Sequence, residues 1–192
     1  MLKRLVPFAA ALALAGCTTS VQSAGTAPQG MVSAADPRAA DAGAQMLRQG
    51  GTAVDASFAT LLALTVVEPQ SSGIGGGGYL VYSQGGGEPV TFDGRETAPH
   101  AATPAWFLKG RQPMDFADAQ PGGKSVGVPG NVRMMGVAHQ RYGKLPWATL
   151  FQPAIRLARD GFRVTPRLYN ALLKYPATGA RRLPRQRRVR GS

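Results

Sequence analysis

Between residues 37 and 174 the apolar positions recur mostly at helical spacing, interrupted by one stretch that alternates in steps of two. Asp36-Pro37 reads as an N-cap followed by proline at the first helical position, and Gly50-Gly51 is a stop signal, which predicts a helix over 37–49. Thr52 with Asp55 three residues on forms a capping-box pattern for a second helix. From Val54 to Val67 that helix is apolar on nearly every face, so it is expected to be buried between layers. Tyr79, Val81, Val90 and Phe92 then alternate as two half-buried strands, turned at Gly85-Gly86-Gly87.

Beyond the hairpin, Thr103-Pro104 predicts a short helix with Trp106 and Phe107 as core anchors, followed by a polar loop. Ser125 to Val128 has the form of a short strand. Pro129-Gly130 opens a helix carrying Val132, Met135, Val137 and Ala138 up to Gly143. Pro146-Trp147 opens another, with Leu150, Ile155, Leu157 and Ala158 expected inward and Gly161 as its stop. Thr165-Pro166 starts a last helix to about Lys174. The fold class is mixed, α+β, with more helix than strand.

The ends of the chain have a different composition. Lys3 and Arg4 precede an apolar run from Leu5 to Ala15, too short to span a bilayer and shaped like a secretory signal. It closes Leu14-Ala15-Gly16-Cys17, which resembles a bacterial lipobox. Residues 1–16 are then a lipoprotein signal peptide, Cys17 the lipidation site, and residues 17–29 a flexible tether holding the protein to the membrane in the periplasm. Cys17 is the sole cysteine, so neither an internal disulfide nor a thiolate metal site follows from cysteine. The formal net charge is +12, yet six arginines lie between Arg181 and Arg190 and no acid follows Asp160. Residues 175–192 are expected to be a disordered basic tail. No aromatic residue is interleaved among these arginines as in a single-strand stacking platform, which argues against a nucleic-acid partner.

Several strings carry candidate chemistry. Gly73 to Gly78 satisfies G-x-G-x-x-G, but a buried helix precedes it and a strand follows, the reverse of a dinucleotide site. Its glycines allow positive φ or close backbone approach, or they are simply a tight helix-to-strand connection. Gly123-Lys124-Ser125-Val126-Gly127 matches G-x-S-x-G, yet Ala119-Gln120-Pro121-Gly122 cannot be the strand that a nucleophile elbow requires. His100 and His139 are the only histidines, and neither sits at metal-like spacing. Arg95, at the end of the second strand, could clamp a carboxylate through two parallel hydrogen bonds, or pair with Asp93 or Glu88.

Five ordered motifs then carry a resemblance: Ser33 to Pro37, Gly50 to Ala56, Glu68 to Gly78, Asp93 to Pro99, and Tyr142 to Trp147. Over about Gln29 to Tyr169 the chain resembles the N-terminal part of the large subunit of gamma-glutamyltransferases, or glutathione hydrolases. The resemblance implies an Ntn-hydrolase αββα sandwich, here incomplete, with residues 30–174 as a partial large-subunit domain. It implies a proenzyme that cleaves itself into two subunits and needs no cofactor or metal. The threonine exposed on the small subunit attacks the gamma-glutamyl amide of glutathione or related compounds, and the acyl group passes to water or an amino acid. Arg95 corresponds to the arginine that binds the α-carboxylate of the gamma-glutamyl group, and the glycine run to a structural segment. No Thr-Thr-His-like processing segment is present, so the catalytic threonine is expected to be absent and the chain alone inactive, its small subunit missing. The sequence from about Tyr175 departs from the family and has the character of a frameshift or premature stop. The alternative reading is a non-catalytic lipoprotein that binds gamma-glutamyl compounds or a partner protein.

Overall fold

The computed structural model describes residues 30–174. The signal segment, Cys17, the tether and the Arg-rich tail lie outside the described residues.

Helix α1 (Pro37–Arg48) starts where expected, with the Asp36 carboxylate accepting from the Arg38 backbone N–H at 2.9 Å. It buries Ala39, Ala42, Gly43 and Met46, a single stripe at helical spacing. Gly50 then takes φ +80°, a left-handed conformation that ends the helix without the steric penalty a Cβ would bring. Helix α2 (Ala53–Val67) begins with the complete capping box between Thr52 and Asp55. Its buried residues include Val54, Phe58, Ala59, Leu62, Ala63 and Val67, with Thr60 bonded back to Ala56 O at 2.8 Å. It is the central element, packed on α1 and on α5 (Trp147–Asp160). Phe58, Met46, Met135 and Leu150 are the largest apolar side chains in this core. Burying each of them stabilises by about 1.5–3 kcal/mol.

The hairpin pairs β1 (Tyr79–Tyr82) antiparallel with β2 (Val90–Asp93), Leu80 opposite Phe92 and Tyr82 opposite Val90. This register corrects the expected face of β1. Leu80 and Tyr82 turn inward with Phe92 and Val90, while Tyr79 and Val81 are 65% and 64% exposed. Tyr-Leu-Val-Tyr is apolar at every position, so alternation could not say which face meets the helices. Helix α4 (Asn131–Tyr142) receives that face: Tyr142 stacks on Tyr82 at 4.1 Å between ring centroids and meets Phe92 edge-on.

The segment between β2 and α4 differs most from expectation. No helix forms at Thr103-Pro104; turns lead to a minimal hairpin of β3 (Leu108–Lys109) and β4 (Gln112–Pro113), then to the four-residue α3 (Phe116–Ala119) and a 3₁₀ turn at Gly123–Ser125. Phe107 is exposed, so it is not a core anchor. Of the short strand expected at Ser125 to Val128, only Val128 pairs, in an isolated bridge with Thr97. In α5, Leu150, Pro153 and Ala154 point inward, whereas Ile155 and Ala158 are exposed. Gly161 closes α5 at φ +81°, and α6 (Pro166–Lys174) follows from the Thr165-Pro166 start.

Candidate functional site

The site is assembled where the end of β2 meets the glycine run and the start of α4. Asp93 Oδ1 accepts the Arg95 backbone N–H at 2.8 Å, a local turn that bends the chain out of the strand. Gly78 and Gly94 exchange backbone hydrogen bonds of 3.2 and 2.9 Å, extending the hairpin ladder by one pair. Gly76 O accepts from both Gly130 N and Asn131 N, so the run supplies an acceptor for the free N–H groups at the head of α4. The buried Asn131 side chain donates to Gly73 O at 2.9 Å and pins the other end of the run.

Close approach, not positive φ, is what the glycine run provides. None of Gly73, Gly75, Gly76, Gly77 and Gly78 has positive φ. A Cβ on Gly77 would sit 2.5 Å from Gly94 O and 2.7 Å from Glu96 N, whereas one on Gly75 would meet nothing within 4 Å. The gap left at Gly77 lets Glu96 Oε1 accept the Gly77 N–H at 2.7 Å, tying the arginine loop to the run.

Arg95 pairs with its neighbour and not with Asp93 or Glu88. Its Nη1 lies 3.3 Å from Glu96 Oε2, and its side chain is 55% exposed. That approach lacks hydrogen-bond alignment, and Glu96 Oε2 is a buried acceptor without a hydrogen-bond donor. The Glu96 carboxyl is held below the usual carboxylate range by its own backbone N–H first, then by the Gly77 N–H and the Arg95 guanidinium, against the opposing effect of desolvation. An exposed ion pair of this length is weak, so the guanidinium retains donors for a ligand.

Arg95 and Glu96 line a cleft of about 670 Å³ together with Gly75, Thr97, Trp106, Phe107, Lys124 and Ser125. This is the size range of small-molecule sites. The Trp106 indole N–H donates to Lys124 O at 2.8 Å, and the Lys124 ammonium lies 6.0 Å from the centroid of the same ring. Ser125, the serine of the G-x-S-x-G string, points its hydroxyl at Gln120 O and Gly122 O, and among the described residues no histidine lines the cleft beside it. His100 is exposed. His139 faces the other way, with Nε2 2.9 Å from Leu145 O and 3.4 Å from Asp55 Oδ1. Both neighbours are acceptors, which assigns the proton to Nε2. The arrangement can bind an anion at Arg95 and pack apolar groups on Trp106, and among the described residues its lining holds no Ser–His or Cys–His pair.

The family model described as Gamma-glutamyltranspeptidase matches residues 39–188. The chain belongs to this family. It is 48% identical over 144 residues to Glutathione hydrolase 3 of Arabidopsis thaliana, covering 74% of this chain and 22% of that protein. It is 39% identical over 158 residues to the Glutathione hydrolase proenzyme of Pseudomonas aeruginosa, covering 82% of this chain and 28% of that one. Among solved structures it resembles Helicobacter pylori gamma-glutamyltranspeptidase with TM-score 0.74 and 35% identity, over 78% of this chain and 43% of that one. The chain thus spans about a quarter of the length of these curated relatives.

Within the family frame, Arg95 is the anticipated residue that the fold presents to a cleft. Glu96, Trp106 and Lys124 were not singled out for this site. Glu96 was legible only as part of the Arg-Glu-Thr-Ala-Pro string. Nothing local marks Trp106 and Lys124 as neighbours, because they stand 18 positions apart, across β3, β4 and α3.

Proposed function

We propose that this chain is the N-terminal, carboxylate-binding part of the large subunit of a gamma-glutamyltransferase, an enzyme that transfers or hydrolyses the gamma-glutamyl group of glutathione and related compounds. The observation that carries this reading is the half-exposed Arg95 guanidinium, only loosely paired with Glu96 and lining an open cleft. A bidentate hold on the substrate α-carboxylate would fix the gamma-amide at a set distance from that anchor. The attacking threonine, with its own α-amine as base, comes from a small subunit outside this chain, released when a proenzyme cleaves itself. In the complete enzyme, β1 and β2 belong to one of two sheets packed between helical layers, with α2 in an outer layer. Tyr79 and Val81, exposed here, fit a face that the rest of a sandwich covers. The Leu-Ala-Gly-Cys17 string supports lipid anchoring in a bacterial periplasm.

The test is hydrolysis of gamma-glutamyl-p-nitroanilide. The purified chain is expected to release no p-nitroaniline above buffer. Refolded with the remaining sequence of a family enzyme, it is expected to turn over, and Arg95→Ala in that assembly lowers kcat/KM by about 10–100-fold, the loss of one charge-assisted contact. Clear turnover by the chain alone would sink this assignment of roles.

A further inference from the structure

The cleft has a cation at each of two places, and only one of them is accounted for by the glutamyl reading. Arg95 is accompanied by Glu96. Lys124 forms no ion pair among the described residues, and its ammonium stands over the Trp106 ring. The ring itself is locked, because its indole N–H is occupied by Lys124 O at 2.8 Å. Phe107 and Val126, both exposed, add apolar wall on the same lining. A fixed aromatic plate beside an ammonium with free donors suits a carboxylate carried on a short, weakly polar backbone. A single amino acid leaves much of a 670 Å³ cleft empty.

We propose that Trp106 and Lys124 form a second carboxylate subsite, which holds the C-terminal carboxylate of a gamma-glutamyl peptide while Arg95 holds its glutamyl end. This rests on the reading of Arg95 given above, and it deepens that reading by naming the substrate class. Peptides with a free C-terminus are favoured over gamma-glutamyl amines or anilides, which carry no second anion. Trp106 is the plate against which the peptide backbone lies; Lys124 selects the terminal charge.

The full chain has two tryptophans, so ¹⁵N labelling gives two indole N–H signals, assigned through Trp106→Phe. Glutathione, its glycinamide analogue and free glutamate are titrated at millimolar concentration. Glutathione is expected to move the Trp106 signal and leave that of Trp147 in place, and glutamate to move neither. The glycinamide is expected to bind about two- to five-fold more weakly than glutathione, the range of one exposed ion pair. Lys124→Ala removes that difference in affinity, and Lys124→Arg keeps it. Equal affinities of acid and amide for the unaltered chain overturn the proposal, as does the lack of any Trp106 response to glutathione. If Arg95→Ala leaves glutathione affinity unchanged while the acid still outbinds the amide, the subsite stands and the Arg95 clamp fails.

Discussion

Asp55 joins two of the sequence motifs, and its replacement gives a sharp test of how the fold is held. The side chain is fully buried at the start of α2. Oδ2 accepts from Thr52 N at 2.8 Å, Lys144 N at 3.0 Å and Leu145 N at 3.3 Å, so one carboxylate ties the Gly50 to Ala56 segment to the turn between α4 and α5. The Thr52 hydroxyl donates to Oδ2 at 3.2 Å, and His139 Nε2, bonded to Leu145 O, lies 3.4 Å from Oδ1. Asp55→Ala strands two or three backbone donors, each at about 1–3 kcal/mol, for a total of about 3–5 kcal/mol. That is a large share of the 5–15 kcal/mol typical of a domain, and the variant is expected to fold poorly. Asp55→Asn is the graded probe. It keeps one acceptor oxygen and sets an NH₂ against a donor, for a loss of about 1–3 kcal/mol. Thr52→Ala, which removes the cap and the hydroxyl's own bond to Asp55 but leaves the bonds to Lys144 and Leu145, costs about 1 kcal/mol. Urea unfolding of the full chain, followed by far-ultraviolet circular dichroism, reads these values. With an m-value of about 1.5–2 kcal/mol/M the Asn midpoint falls by about 0.5–2 M. If Asp55→Asn loses no more than Thr52→Ala, the bonds to Lys144 and Leu145 contribute nothing and the pin is imaginary.

Two further predictions concern the elements on either side. Gly77→Ala drives a Cβ into Gly94 O and Glu96 N and is expected to lose about 1–3 kcal/mol, whereas Gly75→Ala, with open space around it, stays within about 0.5 kcal/mol; the same urea melts compare them. Asp36 is held below its ordinary value of 3.8, first by the hydrogen bond from the Arg38 side chain, with burial opposing. A carboxyl whose folded pKa is depressed adds stability above its unfolded value, lost as the pH falls through the folded one. Stability is therefore expected to drop on acidification below about pH 4, and Arg38→Ala to cost about 2–3 kcal/mol at neutral pH with a shallower acid slope. Parallel acid titration slopes for the two proteins would contradict this.

How much of the molecule could be read from the chain depended on the range of the forces involved. Asp36 with Pro37, Thr52 with Asp55, Gly50 and Gly161 act within one turn of themselves, and the helices they bound lie where those signals put them. The resemblance to gamma-glutamyltransferases was legible for the same reason, as ordered local strings. Arg95 was legible as a candidate, but the tie between its loop and the glycine run was not: Glu96 accepts from Gly77 only because Gly77 lets the two segments touch.

Long-range choices were left to the tertiary structure. Which face of an all-apolar Tyr-Leu-Val-Tyr strand is buried depends on where α4 lies, and Tyr142 decides it by stacking on Tyr82. Trp106 was expected in a core and lines a cleft, because an aromatic residue between turns has no periodicity to orient it and takes whatever surface the chain brings, here the Lys124 carbonyl. The capping role of Asp55 was visible from Thr52; its hold on Lys144 and Leu145, some ninety residues away, was not. Sequence alone determined the long helices α1, α2, α4, α5 and α6, their ends and the family, since each is written in neighbouring residues. Only the packed structure decided the buried face of the hairpin, the contact of Gly77 with Glu96 and the composition of the cleft, since each is a contact between segments that the chain order keeps apart.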